Sequence, residues 1–368
     1  MHSNLKQKVR TALKWGWAAL LYCTGMLCWA KRRLATGGGV VVLTFHRVLP
    51  DSQYDRTYST VGMIVRQQTF EEMAGYVARH CQVVSLADDP TKHQGGLDKP
   101  RLAFSFDDGW DDNARFAVPI ARKHGIPLTI FLCPARIGTS FPFWPERVAA
   151  LCNTAEKCGI TDQVVALLAS TISSGTETLR HRDGRTLAEK TIELLKTLPG
   201  DLRERVVDEL SLRMGGHPET AKQAALHSTL TWEGVRELAG DRVTFGSHSL
   251  THQILPQIPL PEVQHELETS KRLLERHLGM ECRTFAYPNG SWTRETRDLV
   301  AKAGYTRAFR NDPGAWTSDS DPLLIPRVNI SEGSMTGPSK RFSRIVFEYA
   351  VFWRSFRSRT ETSNVSGR

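Results

Sequence analysis

The sequence predicts an α/β fold, a distorted TIM-like (β/α) barrel with a helical insertion and a membrane-binding helix at each end. Three observations predict it. Apolar strand patterns alternate with amphipathic helix patterns along most of the chain, as in a parallel sheet covered by helices. Histidines and carboxylates follow directly after several strands, the position at which barrels carry their chemical groups. Between about residues 142 and 231 the patterns are helical only, which indicates an insertion into a barrel loop.

The 368 residues divide into three predicted regions. A basic and apolar membrane anchor covers residues 1–36, the barrel covers 37–340, and a basic amphipathic helix with a disordered tail covers 341–368. The formal net charge is +9, and much of the excess lies in the two end regions. Localised positive charge is typical of a protein that binds an acidic surface. We expect that surface to be anionic lipid, and we expect no nucleic-acid partner. The sequence indicates no oligomeric state.

Residues 15–30, WGWAALLYCTGMLCWA, form an apolar run between basic flanks. The run is short for a bilayer span, which takes about 20 residues. A cleaved signal peptide is a competing interpretation, but Lys31, Arg32 and Arg33 directly after the run oppose translocation. We therefore expect an uncleaved anchor, rich in interfacial Trp and Tyr, that either crosses the bilayer at a tilt or lies in one leaflet.

A second membrane element is predicted in residues 341–359. Apolar side chains recur there at helical spacing between arginines: Phe342, Ile345, Val346, Tyr349, Phe352, Trp353 and Phe356. A basic amphipathic helix with aromatic residues on its apolar face is typical of a membrane surface. The alternative is a helix docked on the protein's own barrel. Residues 360–368 are expected to be disordered.

The chain has seven cysteines, few for its length and odd in number, which do not form a disulfide framework. This pattern favours a reducing compartment. We therefore predict a bacterial protein associated with the inner membrane, with the barrel facing the cytoplasm.

The first chemical motif follows the apolar strand RLAFSF of residues 101–106. Asp107 and Asp108 come directly after this strand and before a glycine. Two adjacent carboxylates repel each other and lose hydration unless a positive group offsets them, and a bound metal cation does so. The alternative is a solvated Asp-Gly turn.

The second motif is TFGSHSLTH, in which an apolar segment ends at His248 and His252 follows four residues later. This spacing allows both imidazoles to face the same side of one helical turn and to reach one metal ion. A pair of histidines at this spacing is also common on protein surfaces. Together with a carboxylate, however, two histidines leave coordination positions open for water, which is the arrangement of a catalytic metal site.

The sequence FSFDDG followed by HSLTH resembles the polysaccharide deacetylase family, the NodB-like carbohydrate esterases. The resemblance runs from about residue 40 to residue 330. It implies that Asp107 is the general base and that Asp108, His248 and His252 are the metal ligands. Zinc is the expected ion, and cobalt, nickel or iron also suit two imidazoles and a carboxylate.

The sequence departs from the family's pattern at FAYPNG, residues 285–290. The family commonly has Arg-x-Pro-Tyr there, with an arginine that orients the base, whereas this chain has Ala286 and Asn289. The backbone N–H of Asn289 can still serve as the oxyanion donor, but the orienting arginine must come from elsewhere. We expect Trp110, Tyr287 and Arg327 to bind the substrate.

A second departure concerns the general acid, because no histidine follows His277. The resemblance implies a late histidine in that role. His46, at the end of the first strand, replaces it in our prediction, because imidazole is a natural proton donor near neutral pH. TFHRV also resembles a strand-end Tyr-His motif of family members that act on poly-N-acetylglucosamine. The alternative is a core histidine bonded to the backbone.

The resemblance implies a metal-dependent hydrolase that removes an N-acyl group, most often acetyl, from an amino sugar. The substrate is a polysaccharide or a lipid-linked saccharide of cell-envelope glycan biosynthesis. Two alternatives stay open: a carbohydrate-binding pseudoenzyme, and a deformylase of a lipid-linked amino sugar. An iron oxygenase uses similar ligands, but the alternating α/β pattern argues against the all-β fold that this class usually has.

Overall fold

The computed structural model describes residues 2–92, 98–140, 143–172, 174–181, 185–214, 226–240 and 242–358. The tail predicted to be disordered, 360–368, lies outside these residues. The chain forms two compact units. The helical unit consists of Met1–Lys14, Arg56–Thr60 and Ser140–Ser228, and the barrel unit consists of Trp15–Asp55, Val61–Thr139 and Thr229–Arg368.

Parallel strands form the centre of the barrel unit. The strands are β1 (Val40–Phe45), β2 (Arg47–Leu49), β3 (Ile64–Arg66), β4 (Gln82–Val83), β5 (Arg101–Phe106), β6 (Leu128–Leu132), β7 (Val243–Ser247), β8 (Thr284–Ala286), β9 (Arg307–Phe309) and β10 (Arg327–Asn329). The main sheet has the order β10-β1-β5-β6-β7-β8-β9, and β4 pairs with β5. The neighbouring strands in this order run parallel.

The main sheet nearly closes on itself. Phe309 in β9 forms a parallel bridge with Ile325, two residues before β10. The N–H of Ile325 donates to the carbonyl of Ala308 at 2.8 Å, and the N–H of Arg310 donates to the carbonyl of Ile325 at 2.9 Å. The short strands on this side distort the ring. The prediction of a distorted TIM-like barrel is therefore confirmed.

Two long apolar strands, β1 and β5, lie side by side in the sheet, and the side chains of both are buried throughout. Strands covered on both faces are typical of parallel sheets between layers of helices. The register pairs Phe45 with Phe106, so the next residues, His46 and Asp107, leave the sheet at the same level. Strand ends thus bring chemical groups that are distant in sequence to one rim.

The helices are α1 (His2–Cys23), α2 (Met26–Thr36), α3 (Asp51–Tyr54), α4 (Gln67–His80), α5 (Val118–Lys123), α6 (Trp144–Cys158), α7 (Thr161–Thr171), α8 (Leu187–Leu195), α9 (Gly200–Arg213), α10 (Trp232–Leu238), α11 (Leu260–Leu278), α12 (Arg294–Lys302), α13 (Glu332–Met335) and α14 (Arg344–Glu348). Helix α14 continues through a π-helical turn, Tyr349–Trp353.

The helical unit has its own apolar core, to which α6, α7, α8 and α9 all contribute. Val148, Leu168, Leu195 and Leu210 are buried in it. The largest segment of this unit overlaps the insertion predicted at about 142–231. Residues 1–14 belong to the same unit, whereas the sequence analysis placed them in the anchor at 1–36.

The C-terminal helix packs on the barrel. Phe347, Val351 and Phe352 are buried in the same apolar core as the strands. The predicted membrane-surface role of this apolar face is therefore corrected to the alternative, a helix docked on its own barrel. Amphipathic spacing identifies an apolar face, but it does not identify what covers that face.

The apolar N-terminal run forms the end of α1 and the beginning of α2. The two helices are separated at Gly25, whose φ of 76° is in the left-handed region that favours glycine. Within the described residues, no helix is both long enough and apolar enough to cross a membrane.

Candidate metal and catalytic site

Asp108, His248 and His252 converge at the carboxyl ends of β5 and β7. One ligand atom from each lies within 4.8 Å of the others. Oδ1 of Asp108 is 3.7 Å from Nε2 of His248 and 3.4 Å from Nε2 of His252. The two motifs that the sequence analysis singled out therefore meet at one point.

The carboxylate of Asp108 is held in place by one of its two oxygens. Its Oδ2 accepts a hydrogen bond of 3.0 Å from Nε1 of Trp110. Its Oδ1 is buried and has no hydrogen-bond partner among the described residues. A buried carboxylate oxygen without a partner is costly, and a cation between it and the two imidazoles removes that cost. The donor set, one carboxylate and two imidazoles, fits a divalent metal with open coordination positions.

His248 is prepared as a ligand by its surroundings. Its Nδ1 is 2.7 Å from the carbonyl oxygen of Ala286, so it donates a proton there and leaves the lone pair of Nε2 toward Asp108. Burial lowers the pKa of His248 to about 4. The imidazole is therefore neutral at physiological pH, which is the form that binds a metal.

His252 lies in an irregular loop, so the predicted helical turn between the two histidines is wrong. Ser249 and His252 both have left-handed backbone conformations, with φ of 64° and 72°. The buried carboxylate of Glu266 in α11 holds the loop by accepting hydrogen bonds from the N–H groups of Leu250 and Thr251, at 2.8 and 2.9 Å. Spacing alone is compatible with a helical turn, but these tertiary hydrogen bonds favour the loop.

Non-glycine residues with positive φ are concentrated at this site. Asp108 has φ of 74° and Asn289 has φ of 57°, in addition to the two residues of the histidine loop. Each such conformation costs about 1–3 kcal/mol and persists only where the surroundings enforce it. Strain of this kind is typical of functional sites.

Asp107 is paired with Arg327, and its Oδ2 also lies 3.9 Å from Nε2 of His248. Nη1 and Nη2 of Arg327 donate to Oδ1 and Oδ2 of Asp107 at 2.7 and 2.8 Å. Both side chains are buried. Burial alone raises the pKa of Asp107, but the guanidinium outweighs it and holds the pKa well below its usual range. Asp107 is thus a fixed, ionised carboxylate beside the candidate metal position.

The fold and one segment of the sequence resemble known proteins. The fold resembles that of the Streptococcus pyogenes deacetylase PplD in complex with acetate, with a TM-score of 0.51 at 15% identity over 81% of this chain and 94% of that chain. Residues 212–308, which include His248 and His252, match the family model described as Polysaccharide deacetylase. This segment resembles the polysaccharide deacetylase family. Members of this family are hydrolases of amide C–N bonds.

A second relative is the Bacillus subtilis (strain 168) protein named "Putative polysaccharide deacetylase YxkH". It is 29% identical over 104 residues, which are 28% of this chain. The chain matches only 37% of the length of that relative. The structure of IcaB from Ammonifex degensii has a TM-score of 0.49 at 18% identity, over 80% of this chain and 93% of that chain.

His46 lies at the rim of the barrel, next to Asp107 in the register of β1 and β5. His46 is one of the neighbouring groups that lower the pKa of Asp107, after Arg327 and His248. Its Nδ1 is buried and has no hydrogen-bond partner among the described residues. Within the part of the chain that the structure describes, Nδ1 of His46 therefore makes no hydrogen bond to the backbone, unlike in the alternative of a core histidine bonded to the backbone.

Asn289 lies in the turn Pro288–Gly290, directly after β8. Its side chain is exposed, and its Nδ2 donates to Oγ of Ser291 at 3.0 Å. Gly290 is required here, because a Cβ would lie 2.6 Å from the Cβ of Asn311. This close approach fixes the turn that carries Asn289, and the role of its backbone N–H as an oxyanion donor stays a prediction.

The three residues expected to bind substrate occupy supporting positions in this structure, because each side chain is fully buried. Trp110 donates to Asp108, and the guanidinium of Arg47 lies 4.4 Å from the centre of its ring. The hydroxyl of Tyr287 donates to the carbonyl of Leu323 at 3.1 Å. Arg327 donates to both oxygens of Asp107, a contact that fixes the orientation of this carboxylate.

Sequence reasoning missed two further residues. Glu266 holds the histidine loop, and Asn311 accepts hydrogen bonds from Nε and Nη2 of Arg327 at 3.1 and 2.8 Å. Glu266 gave a weak signal, since it lies on the buried face of an amphipathic helix where an unpaired acid is unusual. For Asn311 the sequence contains no comparable signal.

Proposed function

We propose that this chain is a metal-dependent amidohydrolase that removes an N-acetyl group from an amino sugar of a glycan. One observation carries the proposal: two adjacent carboxylates have separate positions. Asp108 has an unsatisfied oxygen near both imidazoles, while both oxygens of Asp107 accept from Arg327 and its Oδ2 stays 3.9 Å from Nε2 of His248. A structural metal site does not require the second carboxylate, whereas hydrolysis requires a base beside the metal.

Asp108, His248 and His252 would hold the ion, and zinc is the expected one. When bound, the metal supplies Lewis-acid polarisation of the acyl carbonyl and lowers the pKa of its water. Asp107 accepts the proton from the attacking water. Because Arg327 lowers its pKa, Asp107 is a weak base, and it therefore suits a water whose acidity has been raised.

His46 and Asn289 complete the reaction at the same rim. The backbone N–H of Asn289 donates to the oxygen that gains negative charge when water adds to the amide carbon. The C–N bond then breaks, and His46 donates a proton to the leaving amine. The products are acetate and a free amino sugar, and the proton taken from water balances the one given to the amine.

The family and the name of the Bacillus relative support a polysaccharide as the substrate class. We propose a cell-envelope glycan, either as the polymer or as a lipid-linked saccharide. Retention of Asp107 and of its buried partner supports an enzyme over a carbohydrate-binding pseudoenzyme, because binding a sugar needs no fixed base.

The test is incubation of the zinc-loaded protein with N-acetylglucosamine oligosaccharides, with acetate and new primary amine measured together. Equal amounts of both products, abolished by chelation and restored by zinc, are expected. Matched N-formyl oligosaccharides distinguish the deformylase alternative, since formate release without acetate release identifies it. Binding of the oligosaccharide without any product contradicts the proposal.

A further inference from the structure

A cationic cavity lies at the other end of the barrel from the metal ligands. Its volume is about 600 Å³, and α1, α2, α14 and the segment before β5 line it. Four cations border it, Lys31, Arg32, Lys99 and Arg344, against two carboxylates, Asp98 and Glu348. The local charge is therefore positive.

One of the two carboxylates is already neutralised within the protein. Glu348 is buried and accepts hydrogen bonds from Lys31 at 2.8 Å and from Arg344 at 3.1 Å. Arg32 and Lys99 are exposed. Lys99 donates one hydrogen bond to the carbonyl of Arg79 at 3.0 Å, but both charges face solvent, and a phosphate group fits this set of donors.

The two N-terminal helices that line the cavity also carry exposed apolar side chains, of which Tyr22 lines the cavity itself. The helices α1 and α2 bury Ala18, Leu21, Leu27, Ala30 and Leu34. They nevertheless expose large apolar residues on other faces, namely Trp17 at 47%, Leu20 at 51%, Tyr22 at 42%, Met26 at 36% and Trp29 at 43%. A surface helix normally has one apolar stripe, which faces the core. When a helix also exposes large apolar side chains on its other faces, a binding partner or a membrane usually covers them.

We propose that this end of the barrel binds the surface of an anionic bilayer, with the phosphate of a lipid headgroup in the cationic cavity. Trp17 and Leu20, three residues apart on α1, and Met26 and Trp29 on α2 insert at the interface, where Trp and Tyr are enriched. Arg32 and Lys99 contact the headgroups. The charge distinguishes a membrane from an apolar protein partner, which offers no phosphate.

The placement limits the substrate, and this consequence rests on the proposed function. Pro100 lines the cavity and Asp107 belongs to the catalytic site, at opposite ends of β5. The strand between them spans about 20 Å at about 3.3 Å per residue. The acyl group of a substrate must therefore lie well away from the headgroups, which favours an extended glycan chain over a single sugar on a lipid phosphate.

The experiment is flotation of the full chain with vesicles of phosphatidylcholine alone or with added phosphatidylglycerol. Binding is expected only to the anionic vesicles. The pair Arg32→Ala and Lys99→Ala weakens it roughly thirtyfold, and the pair Trp17→Ser and Leu20→Ser abolishes it. The controls Arg122→Ala and Met280→Ser, an exposed cation and an exposed apolar residue elsewhere on the barrel unit, bind as the wild type does.

The proposal is overturned if the protein binds neutral vesicles equally well or binds neither kind of vesicle. It is also overturned if the two test pairs bind as the wild type does. A stable dimer in solution that dissociates on Trp17→Ser assigns the apolar surface to a second copy and overturns it as well. Acetate release from a soluble oligosaccharide stays at the wild-type level in all these variants, so failure here is distinct from failure of the proposed activity. The placement of the catalytic site away from the headgroups is contradicted if a single N-acetylglucosamine on a vesicle lipid is deacetylated as fast as the soluble oligosaccharide.

Discussion

Arg327 and Asp107 form a bidentate ion pair in the interior of the barrel, through hydrogen bonds of 2.7 and 2.8 Å. They come from β10 and β5, the two strands that flank β1. The pair fixes the rotation of the carboxylate, so its position beside the metal ligands is set by the sheet itself. If Asp107 is the base of the proposed reaction, Arg327 on β10 is the arginine that orients it.

Replacing Arg327 by Met leaves an uncompensated buried charge. We expect a loss of about 3–5 kcal/mol in the free energy of unfolding, measured by urea denaturation of the metal-free protein. The double variant with Asp107→Asn loses less than the sum of the single changes, because neither partner is left charged. Arg327→Lys keeps the positive charge but loses the bidentate geometry. In this variant we expect the pKa of Asp107 to be higher, and the acid limb of the pH profile of kcat/KM therefore moves to higher pH. Strict additivity of the two single changes contradicts this coupling.

The stability of the metal-free protein depends on pH through His248. Its folded pKa is about 4, below the unfolded value of about 6.5. The free energy of unfolding is therefore unaffected by His248 above pH 6.5. It falls as the pH falls toward 4, by at most about 3 kcal/mol, because protonation of His248 favours the unfolded state. Urea denaturation with a chelator present measures this dependence. We expect His248→Gln to flatten this pH dependence. The control His265→Gln, at an exposed position, should leave it unchanged. Identical slopes for the wild type and His248→Gln contradict the account.

Glu266 positions the histidine loop without reaching the metal site. Glu266→Gln weakens the hydrogen bonds to the N–H groups of Leu250 and Thr251, so the left-handed conformation of His252 is less firmly held. We expect zinc affinity to fall about 10–100-fold, as measured by competition with a chromophoric chelator. Glu268→Gln, at an exposed position on the same helix, is the matched control. Unchanged affinity in Glu266→Gln assigns the residue to stability alone.

His46 is tested by the nature of the leaving group. His46→Ala is expected to retain the fold and zinc and to lose about 10²–10⁴-fold in kcat for an N-acetyl substrate. We expect a smaller loss for an O-acetyl substrate. Its leaving group is an alkoxide, which departs without prior protonation more easily than the nitrogen of an amide does. An equal loss for both substrates indicates that His46 does not donate the proton.

The sequence predicts residues at strand ends better than it predicts their partners. Asp107, Asp108 and His248 were found because a buried apolar strand that stops at a charged or titratable residue is visible locally. The pairing of Asp107 with Arg327 joins residues 220 positions apart, and no local pattern encodes it. The histidine loop was predicted as a helical turn because its spacing permits one, and the carboxylate of Glu266 that decides otherwise lies on another element. The C-terminal helix shows the same limit, since its apolar spacing does not reveal that the barrel covers it.

The most direct test measures zinc content and turnover on the same sample of Asp107→Asn. The account predicts full zinc occupancy with kcat reduced by about 10³-fold or more, whereas Asp108→Ala, His248→Ala and His252→Ala lose both zinc and turnover. Loss of zinc from Asp107→Asn, or turnover within tenfold of the wild type in a zinc-loaded sample, contradicts the separate positions of the two carboxylates on which the proposed function depends.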